Sequence, residues 1–149
     1  MSSSWDMFQE LVRAKMLEVY SEAVVEHSMN PRNMGELEDA DGCAKVTGPC
    51  GDTMQLWLKL KGDNIHKISF LTDGCGTSVA SGSMVTELAK GKKLGQAQRI
   101  SQKDVLDALG GLPEESEHCA LLAADTLKAA IRDYLAMKKE PWKKAFRGH

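Results

Sequence analysis

Residues 54–61 read Met-Gln-Leu-Trp-Leu-Lys-Leu-Lys, and this run constrains the fold more than any other stretch of the 149-residue chain. Met54, Leu56, Leu58 and Leu60 fall on one side of an extended backbone, and Gln55, Trp57, Lys59 and Lys61 on the other. That is a period of two, so the segment is a strand with one apolar face that needs a cover. Lys61-Gly62-Asp63-Asn64 supplies a turn, and Ile65 to Thr72 returns as the second strand of a hairpin. His66 falls on the same side as Ile68 and Phe70, which would leave it partly buried as a strand residue rather than a metal ligand. A shorter candidate strand runs from Cys43 to Thr47.

Helical patterns flank this sheet. Ser3 or Ser4 can cap a first helix continuing to about His27, with Phe8, Leu11, Val12 and Val19 on a packing face. Asn30-Pro31-Arg32-Asn33-Met34-Gly35 breaks it, because the residue before a proline avoids the helical region. Arg32 could meet an acid of a partner, but a satisfied turn arginine is the expectation. After Cys75 a helix begins with small residues, Thr77 to Ser83, then gains Met84, Val85 and Leu88 and stops at Gly91. Its small face either packs close to the sheet or leaves room beside Cys75. Ser101 with Asp104 resembles a capping box that starts a short helix to about Leu109. Gly110-Gly111-Leu112-Pro113 ends it, and a long helix runs from about Glu114 to Met137, with Ala120, Ala124, Leu127, Ile131 and Tyr134 along one face. Residues 138–149 form a basic tail, expected to be solvated.

Composition removes several function classes. A net charge of −2 gives no general attraction to nucleic acid or anionic membrane. No apolar run approaches the ~20 residues of a membrane helix. The first residues carry no apolar signal core, and Asp6, Glu10 and Glu18 run against a transit peptide, so a cytoplasmic protein with reduced thiols is expected. In that setting Cys43, Cys50, Cys75 and Cys119 are metal ligands or reactive thiols before they are disulfides.

Three of these cysteines sit where one element gives way to another. Cys50 lies in Gly48-Pro49-Cys50-Gly51-Asp52, which offers a soft sulfur and a hard oxygen two positions apart. That combination points to iron or zinc before calcium or magnesium. Cys75, between Gly74 and Gly76, starts a helix, whose dipole and unpaired amides favour a thiolate. His118 and Cys119 lie in the first turn of the last helix. Junctions on one edge of an α+β domain can converge, making Cys50, Asp52, Cys75, His118 and Cys119 a candidate metal site. Structural zinc ligands come in tight pairs, whereas these run from residue 50 to residue 119 on glycine-rich loops. Such surplus ligands suit a site that accepts and surrenders its metal. A Cys–His nucleophile is disfavoured, because adjacent helical positions point roughly 100° apart.

The motifs Tyr20-Ser21-Glu22, Asn30-Pro31-Arg32-Asn33-Met34-Gly35, Cys50-Gly51-Asp52, Gly74-Cys75-Gly76 and His118-Cys119 together resemble the iron–sulfur cluster assembly scaffold family. This is the IscU type, also found as the N-terminal domain of NifU, and the likeness covers roughly residues 20–136. The resemblance implies an α+β fold with a small antiparallel three-stranded sheet packed with about five helices. By length the chain is expected to be one domain over 1–149, and 1–19, a helical extension, and 138–149, the tail, lie outside the resemblance. The resemblance implies a non-catalytic scaffold: Cys50, Cys75 and Cys119 receive sulfur and hold a [2Fe–2S] cluster, Cys119 is the sulfur acceptor, and Asp52 and His118 are further ligand candidates. Iron is the metal of assembly, and zinc is compatible with the purified protein. A cysteine desulfurase would donate sulfur and apo iron–sulfur proteins would receive the cluster, with a homodimer around a cluster left open. The alternative is a zinc-dependent sulfurtransferase of the SufU type, which lacks a histidine before its last cysteine. The family's usual Leu-Pro-Pro-Val-Lys appears here as Leu112-Pro113-Glu114-Glu115-Ser116, which makes its dedicated Hsp70-type chaperone a doubtful partner. Cys43 has no counterpart in the pattern and is expected to be a plain strand residue.

Overall fold

A computed structural model describes residues 3–142. Three antiparallel strands, β1 (Gly42–Thr47), β2 (Thr53–Lys61) and β3 (Asn64–Thr72), lie in the order β1-β2-β3. Six α-helices surround them among the described residues: α1 (Ser4–Leu17), α2 (Glu22–Met29), α3 (Gly76–Ala89), α4 (Leu94–Ala97), α5 (Gln102–Ala108) and α6 (Glu117–Lys139). The expected α+β class and three-stranded sheet are therefore present, with the four-residue α4 as an addition. None of these helices is long and apolar enough to cross a membrane.

The alternating face of β2 is the centre of the core. Met54, Leu56 and Leu58 are fully buried and pack with Leu127 and Ile131 of α6, while Phe70 of β3 is buried against α3. The small face of α3 resolves in favour of close packing. Ala80, Ser81, Gly82 and Ser83 are all buried, and a Cβ at Gly82 would fall on the Phe70 ring. A fully buried ring of this kind is worth about 3–5 kcal/mol when truncated to alanine, so the helix yields its own side chains to admit it.

His66 is exposed, contrary to expectation. Lys59 pairs with Lys67 but Leu60 pairs with Ile65, a register shift between Lys59 and Leu60. The bulge reverses the alternation, so Ile65 and Ile68 both point inward and His66 is turned to solvent.

The first helix also differs from expectation. It ends at Leu17 and buries none of its residues; Phe8, Leu11 and Val19 stay exposed. The Ser21 hydroxyl accepts from the Val24 amide at 3.1 Å and donates to the Leu109 carbonyl, which starts a separate helix. That anchor turns α2 into the core, where Val24 and Val25 are buried, and leaves α1 outside. Ser3 caps α1 through a reciprocal box with Asp6, and Ser101 does the same with Asp104 for α5. At the far end, residues 114–116 form a 3₁₀ turn before α6, and Lys138 and Lys139 belong to the helix. The remaining basic residues of the tail, Lys143, Lys144 and Arg147, lie outside the described residues, as does Phe146.

The turn after α2 joins three elements. Ser83 meets the His27 ring Nδ1 at 2.7 Å and accepts from the Arg32 amide at 2.9 Å. The Asn33 amide side chain donates to Thr86 at 3.1 Å, while the Asn33 carbonyl accepts from Phe70 in β3 at 2.9 Å. Arg32 pairs with Glu26 at 3.2 Å, as expected of a turn arginine, although its Nη1 is buried without a partner. Burial in this joint, reinforced by the Arg32 charge, lowers the His27 pKa below 6.5, with Glu87 and Glu26 opposing more weakly. The unfolded chain therefore takes up the proton first, and stability falls as pH drops below 6.5 toward the folded value. The melting temperature gap between wild type and His27→Gln should narrow as pH is lowered from about 7.5 to about 5.5. A gap that stays constant over that range would refute a neutral His27 at the joint.

Candidate metal centre

The site forms at one end of the sheet, from three separate pieces of chain. The β1–β2 connection is a tight turn: the Gly51 amide donates to the Gly48 carbonyl at 3.0 Å, and Gly48 to the Asp52 carbonyl at 2.8 Å. It carries Cys50 at its exposed tip and turns Asp52 inward. The end of β3 is tied to the start of β2, with the Thr53 amide donating to Asp73 at 2.7 Å and the Thr72 hydroxyl to the Thr53 carbonyl at 2.8 Å. This fixes where α3 begins, and Cys75 becomes its N-cap residue. The third piece is the start of α6, steadied by Gln102, which donates to the Glu117 carbonyl at 3.0 Å.

Asp52, His118 and Cys119 converge, with a ligand atom from each within 4.8 Å of the others. Tetrahedral zinc with bonds of ~2.0–2.3 Å needs donor separations of roughly 3.5 Å, so small side-chain rotations suffice. One nitrogen, one oxygen and one sulfur make a borderline donor set that suits iron or zinc. Cys119 Sγ lies 3.7 Å from His118 Nε2, long for a nucleophile and its base but appropriate for two groups leaning toward one ion.

Cys75 joins this group through a hydroxyl. Thr77 Oγ1 lies 3.1 Å from Cys75 Sγ and 3.4 Å from Cys119 Sγ, so the two sulfurs are within reach of one small cluster. The Thr77 contact is the main reason the Cys75 thiol pKa is lowered; partial burial opposes it, and the Ser78 and Thr77 amides add to it. Cys75 is exposed, whereas Cys119 is only 2% exposed. Cys50 stands outside the converged group, in the exposed turn two residues from Asp52. Cys43 lies in β1, paired with Trp57, its amide donating to Asp133 at 2.9 Å.

Thr77 and Ser78 are the members that the sequence did not single out. Ser78 is fully buried, donates to Asp52 Oδ2 at 3.0 Å and lies 3.4 Å from Cys119 Sγ. The available signal was a pair of hydroxyl residues two and three positions after Cys75, in the first turn of a helix. Serine and threonine are common there, so the pattern does not stand out.

With this geometry in hand, comparison with known proteins is specific. Residues 19–141 match the family described as the NifU-like N terminal domain. The chain is 49% identical over 117 residues to the iron–sulfur cluster assembly scaffold protein IscU 1 of Archaeoglobus fulgidus, covering 78% of this chain and 76% of that protein. It is 43% identical over 125 residues to the scaffold protein IscU of Escherichia coli K12, covering 80% and 97%. A crystal structure of the N-terminal part of a NifU-like protein from Brucella abortus superposes with a TM-score of 0.64 at 21% identity, over 81% of this chain and 97% of that one. This last likeness concerns the fold.

Proposed function

Since the chain belongs to the NifU-like N-terminal domain family, together with the IscU-type scaffold proteins, we propose that it builds a [2Fe–2S] cluster and passes it to apo-proteins. Iron, sulfur and the finished cluster are cargo in this reading. The observation that carries it is the convergence of Asp52, His118 and Cys119, with Cys75 attached through Thr77. Cys50, at the exposed tip of its glycine-bounded turn, would close over the cargo as the remaining thiolate.

Sulfur would arrive from the persulfide of a cysteine desulfurase. The Cys119 thiolate attacks the outer sulfur, the S–S bond breaks, and the desulfurase cysteine leaves as a thiolate. Because Cys119 is buried, the donor must displace part of its cover before attack. The Asp52 oxygen differs from the three sulfurs: it holds iron less durably, so its position is where water or an acceptor thiol enters. The relatives named above are called scaffold proteins, consistent with a protein that binds and hands over without turnover. A cytoplasmic setting, which keeps the thiols reduced, belongs to the same proposal. Glu114 and Glu115 sit in the 3₁₀ turn before α6 and oppose recognition by a chaperone that reads a basic segment, so the Hsp70-type chaperone is not among the proposed partners.

Anaerobic incubation with ferrous iron, a desulfurase, cysteine and a thiol reductant, which supplies the remaining electrons that turn persulfide sulfur into sulfide, tests the proposal. The expected result is a brown protein with thiolate-to-iron absorption that activates an apo-ferredoxin. A colourless protein that accumulates persulfide and keeps tightly bound zinc would instead support the SufU-type sulfurtransferase.

A further inference from the structure

We propose that Ser78 is the positioning residue of this centre, holding the Asp52 carboxylate in place beside Cys119 as a metal ligand. The inference deepens the proposed function and rests on the ligand set assigned there. Ser78 is fully buried at the first turn of α3, and its hydroxyl contacts two members of the site: Asp52 Oδ2 at 3.0 Å and Cys119 Sγ at 3.4 Å. A hydroxyl has one proton, and an ionised carboxylate can only accept, so that proton goes to Asp52. One lone pair of Oδ2 is thereby occupied, and Oδ1 remains available to a metal.

Among the described residues, Ser78 is the side chain that hydrogen-bonds the Asp52 carboxylate. Asp52 follows a glycine in a turn whose backbone bonds fix Gly48, Gly51 and the Asp52 carbonyl but not its side chain. Without Ser78 the carboxylate is free to rotate toward solvent. Hydrogen bonds to ligating carboxylates commonly fix their orientation in this way, and losing one costs metal affinity.

The neighbouring motif shows that space is reserved for this bond. A Cβ at Gly74 would fall on Ser78 Oγ and Cβ, and within 2.9 Å of Asp52 Oδ2. Gly74 therefore has no side chain because the Ser78–Asp52 contact passes through the place where one would be. This gives the glycine before Cys75 a reason distinct from backbone freedom, since any larger residue would separate the serine from the aspartate.

Zinc affinity of the apo-protein, measured by competition with a chromophoric chelator, tests the proposal without any cluster. Ser78→Ala should weaken Zn²⁺ binding roughly 10–100-fold. In an Asp52→Ala background the same substitution should change affinity by less than about twofold, because the group it positions is gone. A merely structural serine would weaken binding equally in both backgrounds. Losses that multiply, or a Ser78→Ala protein with wild-type affinity, would overturn the proposal. Should Ser78→Ala fail to fold, Ser78→Gly removes the same hydroxyl without a new clash and carries the same non-additive expectation. The scaffold reading fails separately: zinc coupling in a wild-type protein that never builds a cluster would overturn that reading and leave Ser78 standing. A wild type that builds clusters yet shows no coupling would overturn only the role of Ser78.

Discussion

Cys119→Ser is expected to reduce sulfur loading from a desulfurase to near background and to abolish cluster assembly. Serine has no sulfur to form a persulfide, and its hydroxyl, with a far higher pKa than a thiol, is a poor ligand for iron. The substitution should be tolerated by the fold, because Thr77 and Ser78 stand 3.4 Å from the sulfur and can partner a hydroxyl. Thermal unfolding of the apo variant should therefore stay close to wild type while mass spectrometry shows the loss of persulfide. The competing thiol is Cys75, which is exposed and has a lowered pKa owing first to Thr77. Undiminished loading in Cys119→Ser would move the sulfur acceptor to Cys75.

Asp52→Ala should have the opposite kinetic signature. Three sulfurs remain, so a cluster is still expected to assemble on Cys50, Cys75 and Cys119, but the labile carboxylate whose departure admits an acceptor is gone. Transfer to an apo-ferredoxin is expected to slow, with a correspondingly longer cluster lifetime. Zinc behaves differently because a single ion gains from every donor, so the same variant weakens Zn²⁺ while prolonging the cluster. The change also leaves the buried Ser78 hydroxyl without its acceptor, a cost of about 1–3 kcal/mol. Thermal stability must accordingly be measured beside transfer. Reduced stability with an unchanged transfer rate per cluster would reduce Asp52 to a turn residue.

Much of the architecture was legible in local pattern. The alternation of Met54, Leu56 and Leu58 placed β2 and its buried face, and a serine cap at residue 3 or 4 and the Ser101–Asp104 box marked two helix starts. The junction motifs marked Cys50, Asp52, Cys75, His118 and Cys119 as unusual, because soft ligands between glycines or at helix starts stand out within a few residues. Such signals lie within one or two turns of chain, and backbone sterics together with solvent exposure decide them.

Other features were settled only when distant segments met. The bulge opposite Lys59 and Leu60 turned His66 outward, since matching two strands around a buried Ile65 and Ile68 mattered more than strict alternation. The first helix was divided because Ser21 found the Leu109 carbonyl, a partner 88 residues away. The small face of α3 became a packing surface only when Phe70 needed its space. The site itself is of this second kind: its residue types were written in the sequence, but their order of approach was not. That Asp52, His118 and Cys119 come together, that Cys50 stays at the turn tip, and that Ser78 and Thr77 link the group are results of three chain segments meeting at one end of a sheet. Sequence carried the chemistry of each side chain, whereas distances between side chains exist only after burial of the core has fixed the elements that carry them.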